Sequence, residues 1–515
     1  MAKTDDDLVL TERAINMARF FTKPGIDPYS EIEWEQRDAV IGSAERIAFE
    51  QRNIEFPKTW SQNATNIVAQ KYFRGPMDTP QRERSVKQMV SRVVDWYTDK
   101  GLVDGYFSGP EAVSSFSNEL KYLLVRQNMA FNSPVWFNVG LVEPPRVSAC
   151  QPYHALIDTP DGLIPIGEIV EGNRVGLKIF DAHGVTRVEA VKANGKKKVI
   201  GIKAGTKTIE VTEDHLVWRA SAQGTGRFVP AGDLKVGDRV VWVRTESPGV
   251  GMSSFRDMAE AGLAGYLQTD GFVGKYSGTN KSYTIEFQTA TEAEFEWIEA
   301  LLDEVFPDVH RKVTSVELQD KSLVYRKTRL YGNVLKDFIE RWGLMKRSVD
   351  AELPAQLLTA PLPVVSYYLR SVFQADGYVA QKKPQDGTLI GLATVSPKLM
   401  LGVQALLQRF GIYARLRLKH DKRPDRFDLF EVGIGTLSDQ VRFADEIGFI
   451  DERKIKVLEA SLDRKGLTDL IERRLVVQEI VELGEMDVYD IQTESGEYLS
   501  NGFRIHNCFI LDVED

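Results

Sequence analysis

Cysteine is almost absent from this chain. There are two in 515 residues, Cys150 and Cys508, separated by 358 positions. Two cysteines cannot build a disulfide framework, and they are too few for a cysteine-rich zinc site. Histidine is scarce too, with six residues and no close pair at metal-ligand spacing. No apolar run approaches the ~18 residues of a membrane span. The opening Met1–Asp7 stretch is acidic where a secretion signal is basic and then apolar. A soluble, cytoplasmic protein without membrane contact is expected. The net charge of −9 excludes a generic polyanion binder but permits a local basic surface. Apolar residues at 43% and charged residues at 27% exclude wholesale disorder, and the length allows roughly three or four domains.

What is present changes in texture along the chain. Residues 1–149 read mainly as helices, with apolar positions at helical spacing in Thr11–Phe21, Asp38–Gln51, Arg84–Thr98 and Pro110–Met129. Residues 150–245 are rich in Val, Ile and Gly, with alternating runs at Lys198–Ile202, Thr208–Val211 and Arg239–Val243. Turn signals at Pro160-Asp161-Gly162, Gly184, Asn194-Gly195 and Gly237-Asp238 punctuate them, which predicts an all-β segment. From about 253 to 465 helix and strand patterns alternate. Leu475–Asn507 then returns to strand texture, with turns at Ser495-Gly496 and Asn501-Gly502. One β texture split by a mixed block predicts a domain inserted into another.

The mixed block carries an internal repeat. Leu263–Val273 (LAGYLQTDGFV) echoes Leu369–Val379 (LRSVFQADGYV) at an offset of 106 residues. Each copy reads as a helix ending near Asp-Gly, with the glycine as breaker. Small residues at Gly265/Thr269 and Ser371/Ala375 would let the helices pack closely and bring Asp270 and Asp376 together. Two carboxylates in one cleft repel, and a hard cation neutralises them. Mg²⁺ held so suits phosphodiester hydrolysis. The pattern resembles the paired motifs of a single-chain LAGLIDADG homing endonuclease, covering 253–465. That resemblance implies a double-stranded DNA partner, Mg²⁺ on Asp270 and Asp376, and two pseudo-symmetric halves. Basic residues stand where that family lays strands on DNA: His310, Arg311, Lys312, Arg326, Lys327, Arg329, Arg415, Arg417 and Lys419. The alternation of the last three puts them on one strand face. Ala351 stands where the family usually has a lysine, three residues before Pro354, with Lys346 nearby but out of register. Arg370 replaces a small residue of the second helix. Both departures imply a weakened nuclease.

The split β texture opens at Cys150 and closes at His506-Asn507-Cys508. These residue types can rearrange a backbone without a cofactor. A thiol can attack the carbonyl before it, a second thiol can take the acyl group, and an asparagine can attack its own carbonyl and cut the chain. Thr212-Glu213-Asp214-His215 supplies a hydroxyl and an imidazole for the first bond. Each match is weak alone. The ordered set, with Asp490 and Asn501-Gly502 between, resembles an intein: a Hint splicing domain interrupted by its endonuclease, covering 150–507. The resemblance implies that Cys150 is the first nucleophile and attacks the Ala149 carbonyl. Cys508 receives the acyl group, and Asn507 cyclises with help from His506. Thr212 and His215 activate the upstream bond, and Asp490 tunes the nucleophiles. Many inteins carry another histidine about five residues before the Asn-Gly; here the stretch is Glu494-Ser495-Gly496-Glu497.

Excision of 150–507 would join residues 1–149 to 508–515, a 157-residue product. With Thr59–Ala64 and Phe131–Gly140, this joined sequence resembles the start of a class II, adenosylcobalamin-dependent ribonucleotide reductase. In that family the matching Ser133, Ala149 and Cys508 contact the ribonucleotide, and the cysteine is a redox thiol. The joined stretch has one cysteine and is too short for the family's barrel, so only the beginning of a reductase is expected. The expected architecture is multidomain: an α-helical host segment (1–149), an all-β Hint domain in two parts (150–252 and 466–507), an inserted α/β endonuclease (253–465) and the start of the following host segment (508–515). Splicing would need no cofactor. The alternative is chiefly a site-specific DNA endonuclease with an incidental Hint domain.

Overall fold

The computed structural model describes residues 16–43, 46–77, 79–131, 135–136, 139–141, 150–221, 226–275, 282–317, 324–380, 388–420, 427–462 and 470–507. They fall into two compact units that part between residues 141 and 150.

The first unit has three longer helices, Gln62–Lys71, Val86–Val103 and Pro110–Val125. Each starts where local chemistry favours it. Ser61 Oγ accepts from the Ala64 amide at 3.1 Å, Ser85 Oγ accepts from the Lys87 amide at 3.1 Å, and Pro110 opens the third helix after Gly109. Val86, Val90, Val93 and Val94 line one buried stripe of the second helix and pack with Phe56, Phe73 and Leu124. Asp38–Gln51 is not helical. It forms most of a hairpin, Trp34–Ser43 against Arg46–Pro57. Register shifts at Arg37/Ala39 and Ile41/Gly42 break the two-residue alternation, so the apolar spacing mimics a helix. The 16–21 part of the expected Thr11–Phe21 helix is not helical either; the remainder lies outside the described residues.

The second unit holds one large sheet and two smaller ones. In the large sheet the strand order runs 162–165, 156–159, 497–500, 503–506, 216–220, 239–243, 472–493, 185–204, 178–180. Strands from before residue 245 therefore interleave with strands from after 470. Its backbone is a long antiparallel ribbon of Val185–Ala204 with Glu472–Thr493. Asn194-Gly195, expected as a turn, lies inside this ribbon. The turns at Ser495-Gly496 and Asn501-Gly502 do form, and Asn501 and Gly502 both take positive φ (50° and 77°), as a two-residue hairpin turn requires. A short helix, Ile166–Glu171, and a 3-10 turn, Ala231–Asp233, interrupt the β segment.

The intervening residues form two four-stranded antiparallel sheets with the same order. One runs 272–275, 283–289, 324–331, 311–317; the other runs 377–380, 389–394, 429–434, 415–419. Each follows one motif helix, Phe255–Thr269 or Leu362–Asp376, and these two helices pack on each other. Gly265 makes the approach possible, since a Cβ there would lie 2.5 Å from the Tyr368 carbonyl oxygen. Gly377 ends its helix with φ −83°, not in the left-handed conformation expected of a breaker. Its value is space, because a Cβ would sit 2.3 Å from the Phe373 oxygen.

Candidate functional site

Sheet pairing draws the two ends of 150–507 to one place. Gln151 and Pro152 pair with Tyr489 and Val488, which sets Cys150 beside Asp490. At the other end, Ile505 pairs with Val217, so the strand entering His506 lies along the one that leaves His215. Thr212 braces Cys150 on both sides. Its Oγ1 accepts from the Cys150 amide at 3.0 Å, and its own amide donates to the Cys150 carbonyl at 2.9 Å. The Cys150 amide belongs to the peptide bond expected to break.

Cys150 is fully buried, in an apolar cluster with Val199 and Val488. Burial pushes its thiol up to about 12, and the charges of Asp490 and Asp214 add to this; Lys197 and Asn194 oppose it. Asn194 Nδ2 donates to Sγ at 3.2 Å, and Lys197 Nζ lies 3.7 Å from it. His215 is also fully buried, edge-on to Tyr498 at 6.4 Å between ring centroids. Burial drives its imidazole down to about 3; the Cys150 backbone opposes the shift and His506 adds to it. His506 Nδ1 donates to the Asn507 carbonyl at 2.6 Å, and Phe228 holds the His506 ring edge-on at 5.0 Å. Asn507 is buried and donates from its amide to Gly496 O at 3.1 Å. The stretch without the further histidine holds a buried Glu497 instead, which accepts from Arg504 Nε at 2.9 Å and has His183 Nε2 at 3.4 Å.

Cys150, Thr212, His215, Asp490, His506 and Asn507 thus share one neighbourhood. Ser133, Ala149 and Cys508 lie outside the described residues. Asn194 and Lys197 are the contacts that sequence reasoning missed at this site.

The second cluster stands at the ends of the paired motif helices. Asp376 feels the charge of Asp270 there. Burial raises both carboxyls; Asp270 brings Asp376 up to about 6, and Glu294 adds to the rise of Asp270. Lys454, from the Glu452–Leu462 helix, opposes both shifts and donates to Gln374 O at 2.6 Å and Gly377 O at 2.8 Å. Neither Lys454 nor Glu294 was singled out from sequence. Glu294 reads simply as the acid of a Thr291 capping box, which it also is. The place expected for a lysine is filled by buried Ala351, while Lys346 pairs with Glu352. Arg370 lies outside the helix seam, donating to Ile447 O at 2.5 Å. Among the described residues no group of three or more His, Cys, Asp or Glu side chains is arranged to hold a metal ion. Two carboxylates that repel each other still fit Mg²⁺, which takes one or two carboxylates and completes its shell with water and phosphate.

The nine basic candidates divide. Arg415, Arg417 and Lys419 share the face of buried Glu431, and Lys419 pairs with it at 2.5 Å. Lys327 and Arg329 meet buried Glu286, at 3.4 Å and 2.5 Å, and Lys312 lies opposite Arg329. Exposed His310 precedes that strand. Arg311 and Arg326 turn to the helix side instead, pairing with Glu299 at 2.8 Å and Glu292 at 2.7 Å. Strand alternation is the reason: Arg326 has the parity of buried Thr328 and Leu330.

Residues 35–127 match the family described as class II vitamin B12-dependent ribonucleotide reductase, and residues 363–448 match a LAGLIDADG-like domain. The chain carries a class II reductase amino-terminal region together with a LAGLIDADG-like domain. The vitamin B12-dependent ribonucleotide reductase of Streptomyces coelicolor is 48% identical over 140 residues, 27% of this chain and 14% of that protein. The chain therefore spans about one seventh of the length of that reductase. The replication factor C small subunit of Methanocaldococcus jannaschii is 26% identical over 349 residues, 64% of this chain and 18% of that protein. A solved structure of I-DmoI in complex with DNA and Mn shares 16% identity over 38% of this chain and 97% of its own, with a TM-score of 0.28. No helix among the described residues is long and apolar enough to cross a membrane.

Proposed function

We propose that the chain is a self-splicing precursor, in which residues 150–507 form an intein with a Hint domain and an embedded homing endonuclease. The observation that carries this reading is His215, whose buried ring feels the backbone of Cys150 and the ring of His506, the two ends of the proposed insert. The alignment with replication factor C adds support. It covers 64% of this chain, more than the reductase match, in a protein named for a different process from the reductase.

Cys150 attacks the Ala149 carbonyl and forms a thioester, with Thr212 bracing the bond and His215 giving a proton to the departing nitrogen. Asp490 sets the charge around the sulfur. The acyl group moves to Cys508. Asn507 then attacks its own carbonyl, which His506 polarises through its 2.6 Å hydrogen bond, and the chain is cut. The ligated product continues as an adenosylcobalamin-dependent reductase, where Ser133, Ala149 and Cys508 face the ribonucleotide. In the endonuclease, Asp270 and Asp376 would hold Mg²⁺, which would supply charge for phosphodiester hydrolysis of double-stranded DNA.

Purified chain incubated under reducing conditions should yield a 358-residue piece and a 157-residue ligated product by mass spectrometry. Asn507→Ala should stop the reaction at the thioester, and Cys150→Ala should prevent the first step. Intact chain persisting with Cys150, Asn507 and Cys508 unaltered overturns the splicing reading. It leaves chiefly an endonuclease, recognised by Mg²⁺-dependent DNA cutting that Asp270→Ala or Asp376→Ala abolishes.

A further inference from the structure

The ribbon beside Cys150 contains a bulge. Asp487 pairs with Lys196, and two residues on Tyr489 pairs with Ala193. Asn194 and Gly195 therefore stand opposite Val488 alone, and Val488 pairs on its other side with Pro152. Gly195 takes φ +66°, which absorbs the extra residue. In a regular strand, residues three apart point to opposite faces. The inserted residue cancels that alternation, and Asn194 and Lys197 reach the same atom, Sγ of Cys150, at 3.2 and 3.7 Å. Val199 and Val488 make the rest of that pocket apolar, so a sulfur anion there depends on the few polar groups aimed at it.

We propose that Asn194 and Lys197 are catalytic residues of the thioester step, the amide and the ammonium together holding the sulfur of Cys150 as a thiolate. The assignment rests on the splicing reading. In that step the thiol gives up its proton and a sulfur–carbon bond forms at the Ala149 carbonyl. The bond from that carbon to the Cys150 nitrogen then breaks, and the nitrogen leaves as an amine carrying the proton. Nothing is oxidised or reduced. Lys197 serves as a counter-charge against Asp490 and Asp214, whose charges both act on the sulfur. Buried His215, on the backbone side of Cys150, handles the proton at nitrogen.

The test uses the full chain with Asn507→Ala, exposed to dithiothreitol, which captures the thioester and releases the 149-residue amino-terminal piece. Release from this reference chain tests the splicing reading itself; no release overturns both that reading and this assignment. Given release, Asn194→Ala and Lys197→Met should each slow it about tenfold at neutral pH, the size of one lost hydrogen bond to a charged group. Lys197→Met should also shift the rate–pH profile to higher pH, and Lys197→Arg should restore most of the rate. Near-ultraviolet circular dichroism checks that each variant is folded. Rates within twofold of the reference overturn the assignment. Slowing with an unshifted pH profile, or no rescue by arginine, also overturns it, because the two residues would then only support the bulge.

Discussion

His215 is the residue on which the physical chemistry concentrates. It is fully buried, and the backbone of Cys150 is the polar group that acts most on its ring, without a hydrogen bond of full geometry. Such a group costs stability and persists where a reacting atom is to be met. Its imidazole sits at about 3, below the ordinary 6.5. Below pH 6.5 the unfolded chain takes up a proton that the native ring refuses until about 3. The stability this neutral ring confers is complete above 6.5 and is lost as pH falls from there towards 3. In a chain blocked by Cys150→Ala and Asn507→Ala, adding His215→Phe should remove about 2 kcal/mol of the stability lost between pH 7 and pH 5, read by urea unfolding. Parallel pH slopes for the two chains would sink the assignment. At this scale the sequence is informative where chemistry demands a residue type at a fixed place in an order, as with Cys150, Thr212, His215, His506 and Asn507. Asn194, Lys197 and Lys454 carry no such mark. A bulge and a separate helix deliver them, and Asn-Gly reads alike in a turn and in a bulge.

At the scale of elements, the motif helices were readable because two copies in register repeat the same demands. The Asp38–Gln51 hairpin was not, since two register shifts erase its alternation. Likewise, composition could not foretell which way Arg311 and Arg326 turn, because only the pairing register assigns a strand residue to a face. The glycines of the first motif helix give a test with opposing terms. Gly→Ala inside a helix normally gains about 1 kcal/mol. At Gly265 the new Cβ would meet the Tyr368 carbonyl oxygen at 2.5 Å, and backbone cannot move aside cheaply. At Gly262 the nearest atom, at 2.7 Å, is Cδ1 of Leu301, the end of a flexible side chain. Gly265→Ala should therefore destabilise the unit by about 1–3 kcal/mol in urea unfolding, and Gly262→Ala should cost clearly less. A Gly265→Ala chain as stable as its parent would show that the helices do not pack at this distance.

Across the whole of the second unit, the large sheet and the two-sheet body share a buried polar bridge. Gln408, at the end of the Pro397–Arg409 helix, accepts from Lys207 Nζ at 2.5 Å and donates to Asp158 Oδ1 at 2.5 Å. Asp158 Oδ2 accepts from the Gly502 amide at 2.8 Å, and Lys207 Nζ donates to Asn501 Oδ1 at 3.2 Å. The bridge thus ends on the turn that carries the Phe503–His506 strand. Both ions are fully buried; desolvation lowers Lys207 to about 8 and raises Asp158. Arg409 donates to Ser247 O at 3.1 Å, and Tyr413 packs on Trp242 at 5.1 Å inside the large sheet's core. These contacts tie the two bodies together within the second compact unit. Gln408→Leu leaves a buried lysine and a buried carboxylate short of their shared partner and should cost about 3 kcal/mol. Replacing all three, with Asp158→Leu and Lys207→Met added, removes the stranded charges. That chain should recover most of the loss, because an apolar cluster of similar volume needs no partners. In both chains the second unit should unfold in a single urea transition. A triple variant no more stable than Gln408→Leu, or two separate transitions within the second unit of the parent, would mean that the bridge does not join the two bodies.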